Sequence, residues 1–194
     1  MRKLVLIEFM SLDGVVQGPG DPKEDTEGGF AHGGWQRPYF DDAFLAAAGK
    51  GMAETDAQLF GRKTYDGMAA FWPTQGDDDP FAKHLNHVTK YVASRTMTTA
   101  NWENTTVLHG DVAAQVTEIK QQDGGTISVL GSADLAQTLM AHDLVDEYQL
   151  MIHPLVLGSG KKFFRDAEQV RRLELVDATP TTTGVLLTTY RPAR

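Results

Sequence analysis

Apolar positions in this chain come in short dense runs, separated by polar, glycine-rich or helically spaced stretches. The first run, Leu4-Val5-Leu6-Ile7-Glu8-Phe9-Met10, is apolar on both faces except at Glu8. It predicts a largely buried strand from Lys3 to Ser11. Similar runs at Ala57–Phe60, Lys90–Ala93, Thr105–Leu108, Thr126–Leu130 and Glu147–Ile152 predict further strands. Helical spacing fills the gaps. Asp41–Met52 puts Phe44, Leu45 and Ala48 on one face. A second helix starts in Gly61–Tyr65 and runs toward Phe71-Trp72, where Pro73 stops it. Asp111 caps a third through Gln121, closed by Gly124-Gly125. Leu135, Leu139 and Met140 recur at helical spacing in a fourth. The end of the chain differs: Leu173–Val176 and Val185–Tyr190 follow one another without a helix, and Pro180 and Gly184 mark the turn region.

Alternating strands and helices followed by paired strands predict an α/β fold: a mostly parallel central sheet, helices on both faces, and an antiparallel C-terminal edge. A length of 194 residues suits one domain over 1–194. The stretch from Ser11-Leu12-Asp13-Gly14 to Pro38 fits no period and holds six glycines from Gly18 to Gly34. A loop this long in a compact domain is usually functional or disordered. Trp35, Tyr39 and Phe40 at its end suit a lid or a pocket wall, or else aromatics tucked into the core.

Charge narrows the function classes. With 41% hydrophobic and 23% charged residues the chain is of ordinary globular composition. Its net charge of -8 argues against general binding to nucleic acid or anionic membranes, so an anionic ligand needs a local positive cluster. The absence of cysteine excludes disulfides, thiolate nucleophiles and iron–sulfur clusters. Leu4–Phe9 is too short for a membrane span or secretory signal, so the cytoplasm is the expected location. Asp77-Asp78-Asp79 reads as a solvated turn, and His84 and His87 lack further ligands at metal-binding spacing. No metal is expected.

Three strand exits carry phosphate-compatible residues: Gly61-Arg62-Lys63-Thr64-Tyr65, Ser94-Arg95-Thr96 and Gly131-Ser132-Ala133-Asp134-Leu135. Glycine lets the backbone turn or approach a ligand closely, and a fresh helix N-terminus offers amides and a favourable dipole. Each turn alone reads as readily as a solvated connection. Together, at the carboxyl ends of parallel strands, they share one edge, where such sheets bind ligands. Two basic-plus-hydroxyl clusters and one neutral glycine turn suit a dinucleotide with a diphosphate and a 2′-phosphate, so NADPH is expected over NADH. The fingerprint G-x-G-x-x-G is nowhere intact after a strand.

In order and spacing these pieces resemble the dihydrofolate-reductase-like fold in its riboflavin-biosynthesis reductase branch, the RibD C-terminal type. The resemblance spans nearly the whole chain. It rests on Ser11-Leu12-Asp13-Gly14, Gly61-Arg62-Lys63-Thr64-Tyr65, Ser94-Arg95, Gly131–Leu135 with Leu144-Val145-Asp146-Glu147, and Pro154-Leu155-Val156-Leu157-Gly158-Ser159-Gly160. It implies a three-layer α/β/α domain and NADPH-dependent reduction of a pyrimidine- or pteridine-like heterocycle, similar to 5-amino-6-(5-phosphoribosylamino)uracil reductase. Dihydrofolate reductase activity and a catalytically silent NADP-binding module are the alternatives. By resemblance, Arg62, Lys63, Thr64, Ser94, Arg95 and Thr96 bind cofactor phosphates around Gly61. Gly131, Ser132, Ala133, Asp134 and Leu135 cradle the diphosphate. Asp13, Trp35, Phe40 and Asp41 lie near the substrate end, with Asp13 and then Asp41 as polar anchor or proton donor. Their local readings are a turn aspartate and a helix cap. A homodimer through the late strands and glycine loop is also implied. The chain departs from the pattern at Ile7, where riboflavin-pathway reductases usually carry lysine, and at Leu130, where they tend to carry glutamate. Ser132 stands where dihydrofolate reductases have a second glycine.

Overall fold

The short apolar runs pair into one eight-stranded sheet in the computed structural model, which describes residues 1–165 and 170–193. In chain order the elements are β1 (Leu4–Ser11), α1 (Asp42–Ala53), β2 (Thr55–Gly61), α2 (Arg62–Phe71), α3 (Pro80–His87), β3 (Thr89–Ala93) and β4 (Thr105–Leu108). They continue with α4 (Val112–Gln121), β5 (Thr126–Leu130), α5 (Ala133–Ala141), β6 (Glu147–His153), β7 (Leu173–Pro180) and β8 (Leu186–Pro192). The sheet order is β4-β3-β2-β5-β1-β6-β8-β7. β2 pairs in parallel with β3 and β5, and β3 with β4. β8 pairs antiparallel with both β6 and β7. The expected three-layer α/β arrangement with an antiparallel C-terminal edge is what forms.

Two elements differ from expectation. α3 occupies a stretch read as a hydrophilic loop and a pair of histidines. Asp79 caps it, accepting from the backbone N–H of Phe81 (2.8 Å) and Ala82 (3.2 Å), with Pro80 in the first turn. β7 runs on to Pro180, past the expected end at Val176. From Glu174 onward it is exposed, so no in–out alternation marks it in the sequence. The turn lies at Thr181–Gly184, where Gly184 takes a left-handed φ of 86°.

Contacts divide the chain into two units. The first comprises Met1–Leu6 with Gly49–Asp146, the second Ile7–Ala48 with Glu147–Arg194. The first unit has a core of Phe60, Tyr65, Leu85, Val92, Met97 and Trp102. Burying side chains of this size contributes roughly 1.5–3 kcal/mol each. Two of its buried cations are paired rather than stranded. Arg2 bonds Asp56 at 2.7 Å and the Gly125 carbonyl at 3.0 Å. Lys120 bonds Asp146 at 2.5 Å and the Leu144 carbonyl at 2.6 Å.

The second unit holds two apolar clusters, Val15–Phe30–Trp35 and Phe44–Met151–Val185. Its long segment after β1 is tied down by one buried side chain, Gln17. The Gln17 amide nitrogen donates to the carbonyls of Asp25 and Glu27, its amide oxygen accepts from Lys161 N–H, and its backbone carbonyl accepts from the Trp35 indole. Lys161 adds ion pairs to Asp25 and Glu27, both 2.5 Å. Of the three aromatics at the end of this segment, Trp35 is buried and tucks into the core with Phe30, Tyr39 is half-buried, and Phe40 is exposed.

Candidate functional site

Parallel pairing brings three strand exits of the first unit together. Gly61 and Ala93 are register partners on β2 and β3, and Leu59 and Val129 are partners on β2 and β5. The next residues, Arg62 and Ser94, therefore leave neighbouring strands about 5 Å apart. The Gly61–Thr64 and Gly131–Leu135 turns touch directly: Gly61 N–H donates to Ser132 Oγ at 2.9 Å. A Cβ added to Gly131 would lie 3.7 Å from Thr64 Oγ1.

These exits leave helix N-termini open. Every helix begins with backbone N–H groups that no turn of its own satisfies. α3 and α4 cover theirs with Asp79 and Asp111. α2 follows Gly61 and α5 follows Ser132, and neither has a side-chain cap. The Ser132 hydroxyl instead bonds Gly61 N–H and the Leu130 carbonyl. Both first turns thus present bare amides and the positive end of the helix dipole to an anion. They differ in charge. α2 opens with the exposed cations Arg62 and Lys63, whereas α5 opens with Ala133, Asp134 and Leu135 and offers mainly backbone.

Ser132 itself is held at φ 64°, ψ 47°, directly after Gly131 at φ 58°. A non-glycine residue in this left-handed region costs roughly 1–2 kcal/mol. Ser132→Ala keeps that strain and loses the bond to Gly61, so it should lower stability by about 1–2 kcal/mol in denaturant titration. Ser132→Gly loses the bond but relieves the strain and should cost less than half as much. Equal losses in the two variants would contradict this account of the turn.

The third exit adds a hydroxyl and a cation. Ser94 is buried, and its Oγ accepts from the N–H of Thr96 (3.2 Å) and Met97 (3.0 Å). Neither bond uses the hydroxyl's own proton. Arg95 and Thr96 are exposed beside it. Arg62 bonds Asp66 through Nε alone, at 2.9 and 2.7 Å to the two carboxylate oxygens. Its terminal guanidinium nitrogens remain available for planar recognition of a phosphate. A groove of about 440 Å³ lies alongside, lined by Arg62, Tyr65, Asp66, Thr96, Thr99 and Asn101. A broader hollow of about 600 Å³ lies at the other ends of β2 and β3, among Thr55, Lys83, His84, His87 and Thr89. Ligands of parallel sheets bind outside the carboxyl ends, which favours the groove.

The candidates in the second unit are held differently. Asp13 accepts from Ser11 Oγ at 2.7 Å, Leu157 N–H at 3.0 Å and Gly158 N–H at 2.9 Å. The Ser-Leu-Asp-Gly turn and the glycine loop after β6 are thus structural partners. The bond from Ser11, with the backbone donors, holds the Asp13 pKa down to about 2. Asp41 accepts from Phe44 N–H, capping α1, and from the Thr182 N–H, Thr182 hydroxyl and Thr183 N–H. The Thr182 hydroxyl leads the causes that lower its pKa to about 2. Both carboxylates are ionised at neutral pH and bound through both oxygens, so the geometry supports anchors rather than proton donors. Trp35 is buried, its ring edge-on to His153 at 5.0 Å. Phe40 is exposed and meets Phe44 at 5.0 Å.

These two aspartates set an acid limit. Their folded pKa values lie below the unfolded 3.8, so the stability they contribute is complete above that value. It is lost as pH falls from 3.8 toward about 2. The Asp13→Asn, Asp41→Asn double variant should show a flatter stability curve through that window. An unchanged acid slope would assign the limit to other groups.

Sequence reasoning passed over one acid. Glu8, the lone break in the apolar β1 run, is buried, and burial with the nearby charge of Glu24 pushes its pKa well above the carboxylate range. Its Oε1 has no hydrogen-bond partner. A single acid in an otherwise apolar strand was the available signal.

Comparison with known proteins agrees with this fold. The RibD C-terminal domain profile matches residues 2–187. The uncharacterized protein YyaP of Bacillus subtilis (strain 168) is 29% identical over 97% of this chain and 94% of its own. A crystal structure of a putative riboflavin biosynthesis protein from Shewanella sp. PV-4 superposes with a TM-score of 0.74 at 19% identity, covering 99% of both chains. Dihydrofolate reductase from Enterococcus faecalis, complexed with NADP(H) and RAB-propyl, superposes with a TM-score of 0.66 at 15% identity, covering 99% of this chain and 97% of its own.

Proposed function

Because the chain belongs to the RibD C-terminal domain family, we propose that it is an NADPH-dependent reductase of a pyrimidine- or pteridine-like heterocycle, of the riboflavin-pathway type. The observation that carries the reading is the pair of uncapped helices, α2 and α5, joined by the Gly61–Ser132 bond at neighbouring strand exits. Arg62, Lys63, Ser94, Arg95 and Thr96 would hold the 2′-phosphate. Thr64 with Gly131–Leu135 would receive the diphosphate through backbone amides. The adjoining groove, about 440 Å³, falls within the roughly 300–1,000 Å³ usual for small-molecule sites and suits the adenosine. When bound, the reduced nicotinamide supplies the hydride, and the protein supplies position and electrostatics. Asp13 and Asp41 act as fixed anionic anchors near the substrate, with Trp35 and Phe40 as its aromatic neighbours. Of the three carboxyls Glu8, Asp13 and Asp41, only Glu8 has its pKa raised, by burial and the nearby charge of Glu24, whereas hydrogen bonds lower the other two.

The test is loss of reduced-nicotinamide absorbance with 5-amino-6-(5-phosphoribosylamino)uracil, dihydrofolate and related heterocycles. Turnover of a pyrimidine or a pteridine supports the reading and separates the riboflavin-pathway activity from dihydrofolate reduction. Tight NADPH binding without turnover across the panel favours a silent NADP-binding module, the alternative that Ile7 and Leu130 permit. We further propose a homodimer. β7 is the last strand of the sheet order, and Leu175, Val176 and Leu186 are exposed on the β7–β8 pair. Among the described residues no helix is long and apolar enough to cross a membrane, and a cytoplasmic location fits a cysteine-free reductase.

A further inference from the structure

Lys90 sits on β3 with none of its surface exposed. Its Nζ donates to the carbonyls of Leu85 (2.8 Å), Asn86 (3.2 Å) and Val88 (2.8 Å) at the end of α3. Such carbonyls carry the negative end of the helix dipole and favour a cation. The same Nζ lies 4.7 Å over the ring of Trp102. Trp102 is tied in turn. Its indole N–H bonds Asn86 Oδ1 at 2.9 Å, and its backbone N–H bonds the Tyr65 hydroxyl at 3.0 Å. Asn86 also donates to the Trp72 carbonyl at 3.1 Å. Tyr65 lies on α2 just after Arg62-Lys63-Thr64, and Ser94–Thr96 leads into the buried Met97 and Trp102.

Among the described residues, Lys90 pairs with no carboxylate. Burying an ammonium without one is costly, and an apolar residue could fill this strand position at lower cost. Nothing in hydride transfer at the strand exits uses a lysine at this depth. We propose that Lys90 is a positioning residue for the phosphate-binding edge: its ammonium, clamped between the last carbonyls of α3 and the face of Trp102, fixes the 94–102 segment that presents Ser94, Arg95 and Thr96 beside α2. The inference rests on reading that edge as a 2′-phosphate site.

The clamp has a spectroscopic signature. Burial pulls the Lys90 pKa down to about 8, with Glu103 opposing. The other titratable groups around it are His84 on α3, whose pKa burial and the Lys90 charge lower, and Tyr65 on α2. As Lys90 loses its proton the cation leaves the Trp102 face, so intrinsic emission should titrate with a midpoint near 8.

The experiment compares wild type with Lys90→Met and Trp102→Phe in the full chain. It reads NADPH and NADH dissociation constants, hydrogen exchange of the 94–102 amides, and emission against pH. Lys90→Met should weaken NADPH about tenfold and NADH less than about twofold. It should speed exchange across 94–102 and abolish the emission titration. Trp102→Phe keeps a ring under the cation but loses the Asn86 bond, and should show a smaller loss confined to NADPH. A folded Lys90→Met that weakens both cofactors equally, or neither, overturns the proposal. If Lys90→Met does not fold, Trp102→Phe decides by the same criterion. If wild type binds both cofactors alike, the 2′-phosphate reading fails, and the exchange and emission data alone decide whether Lys90 holds the segment.

Discussion

The Arg62→Ala, Arg95→Ala double variant is expected to bind NADPH about 30- to 150-fold more weakly than wild type, with NADH changed by less than about threefold. Each arginine would make charge-assisted bonds worth roughly 1.5–3 kcal/mol when shielded. Both side chains sit in open surroundings, which brings the joint loss down to about 2–3 kcal/mol, and each 1.4 kcal/mol is about tenfold. Arg62 can take this role without giving up Asp66, because that pair engages only Nε. NADH lacks the 2′-phosphate and still has the α2 and α5 amides for its diphosphate. Calorimetric titration with both cofactors checks the result. Parallel losses would mean that the arginines serve the diphosphate, or only general attraction.

The second large effect concerns the second unit and stability. Gly160 has φ 118°, and a Cβ there would lie 2.7 Å from Val15 Cγ1 and 2.9 Å from Phe30 Cε2. Val15 is wholly buried and Phe30 nearly so, and neither can step aside cheaply. Gly160→Ala therefore combines backbone strain, roughly 1–3 kcal/mol, with overpacking of similar size. A loss of about 3 kcal/mol or more is expected in chemical denaturation. Gly158→Ala is the control: its φ of 76° is also left-handed, but nothing lies within 4 Å of the new Cβ. It should cost about 1 kcal/mol. Adding Val15→Ala to Gly160→Ala should recover only the part of the steric loss due to Val15, leaving the Phe30 contact and the strain. If the two glycine variants lose the same stability, the close approach to Val15 and Phe30 does not matter.

Much of this was legible from residue order. The short apolar runs located β1 to β6, and strand–helix alternation placed Gly61, Ser94 and Gly131 at neighbouring parallel exits. What escaped was set by contacts between residues far apart in sequence. The Ser11–Gly14 turn and the Leu157–Gly158 loop read as separate motifs, yet Asp13 bonds one to the other across about 145 positions. Lys90 looked like the polar start of a strand, because only the folded chain brings the end of α3 and Trp102 around it. Whether the glycine-rich stretch after β1 was a lid or a packed loop could not be read from composition. Its order comes from Gln17 and Lys161, polar residues whose partners lie up to 144 positions away. α3 was visible in principle, since aspartate before proline is a helix-start signal, but three adjacent acids looked like a solvated turn.

The joined exits of β2, β3 and β5 are proposed as a site selective for a 2′-phosphorylated dinucleotide. Side-by-side titration of the wild-type chain with NADPH and NADH at low ionic strength tests it most directly. NADPH should bind at least about 30-fold tighter than NADH, with the gap narrowing as salt screens the phosphate contacts. Equal affinity for the two cofactors, or binding of neither, would contradict it.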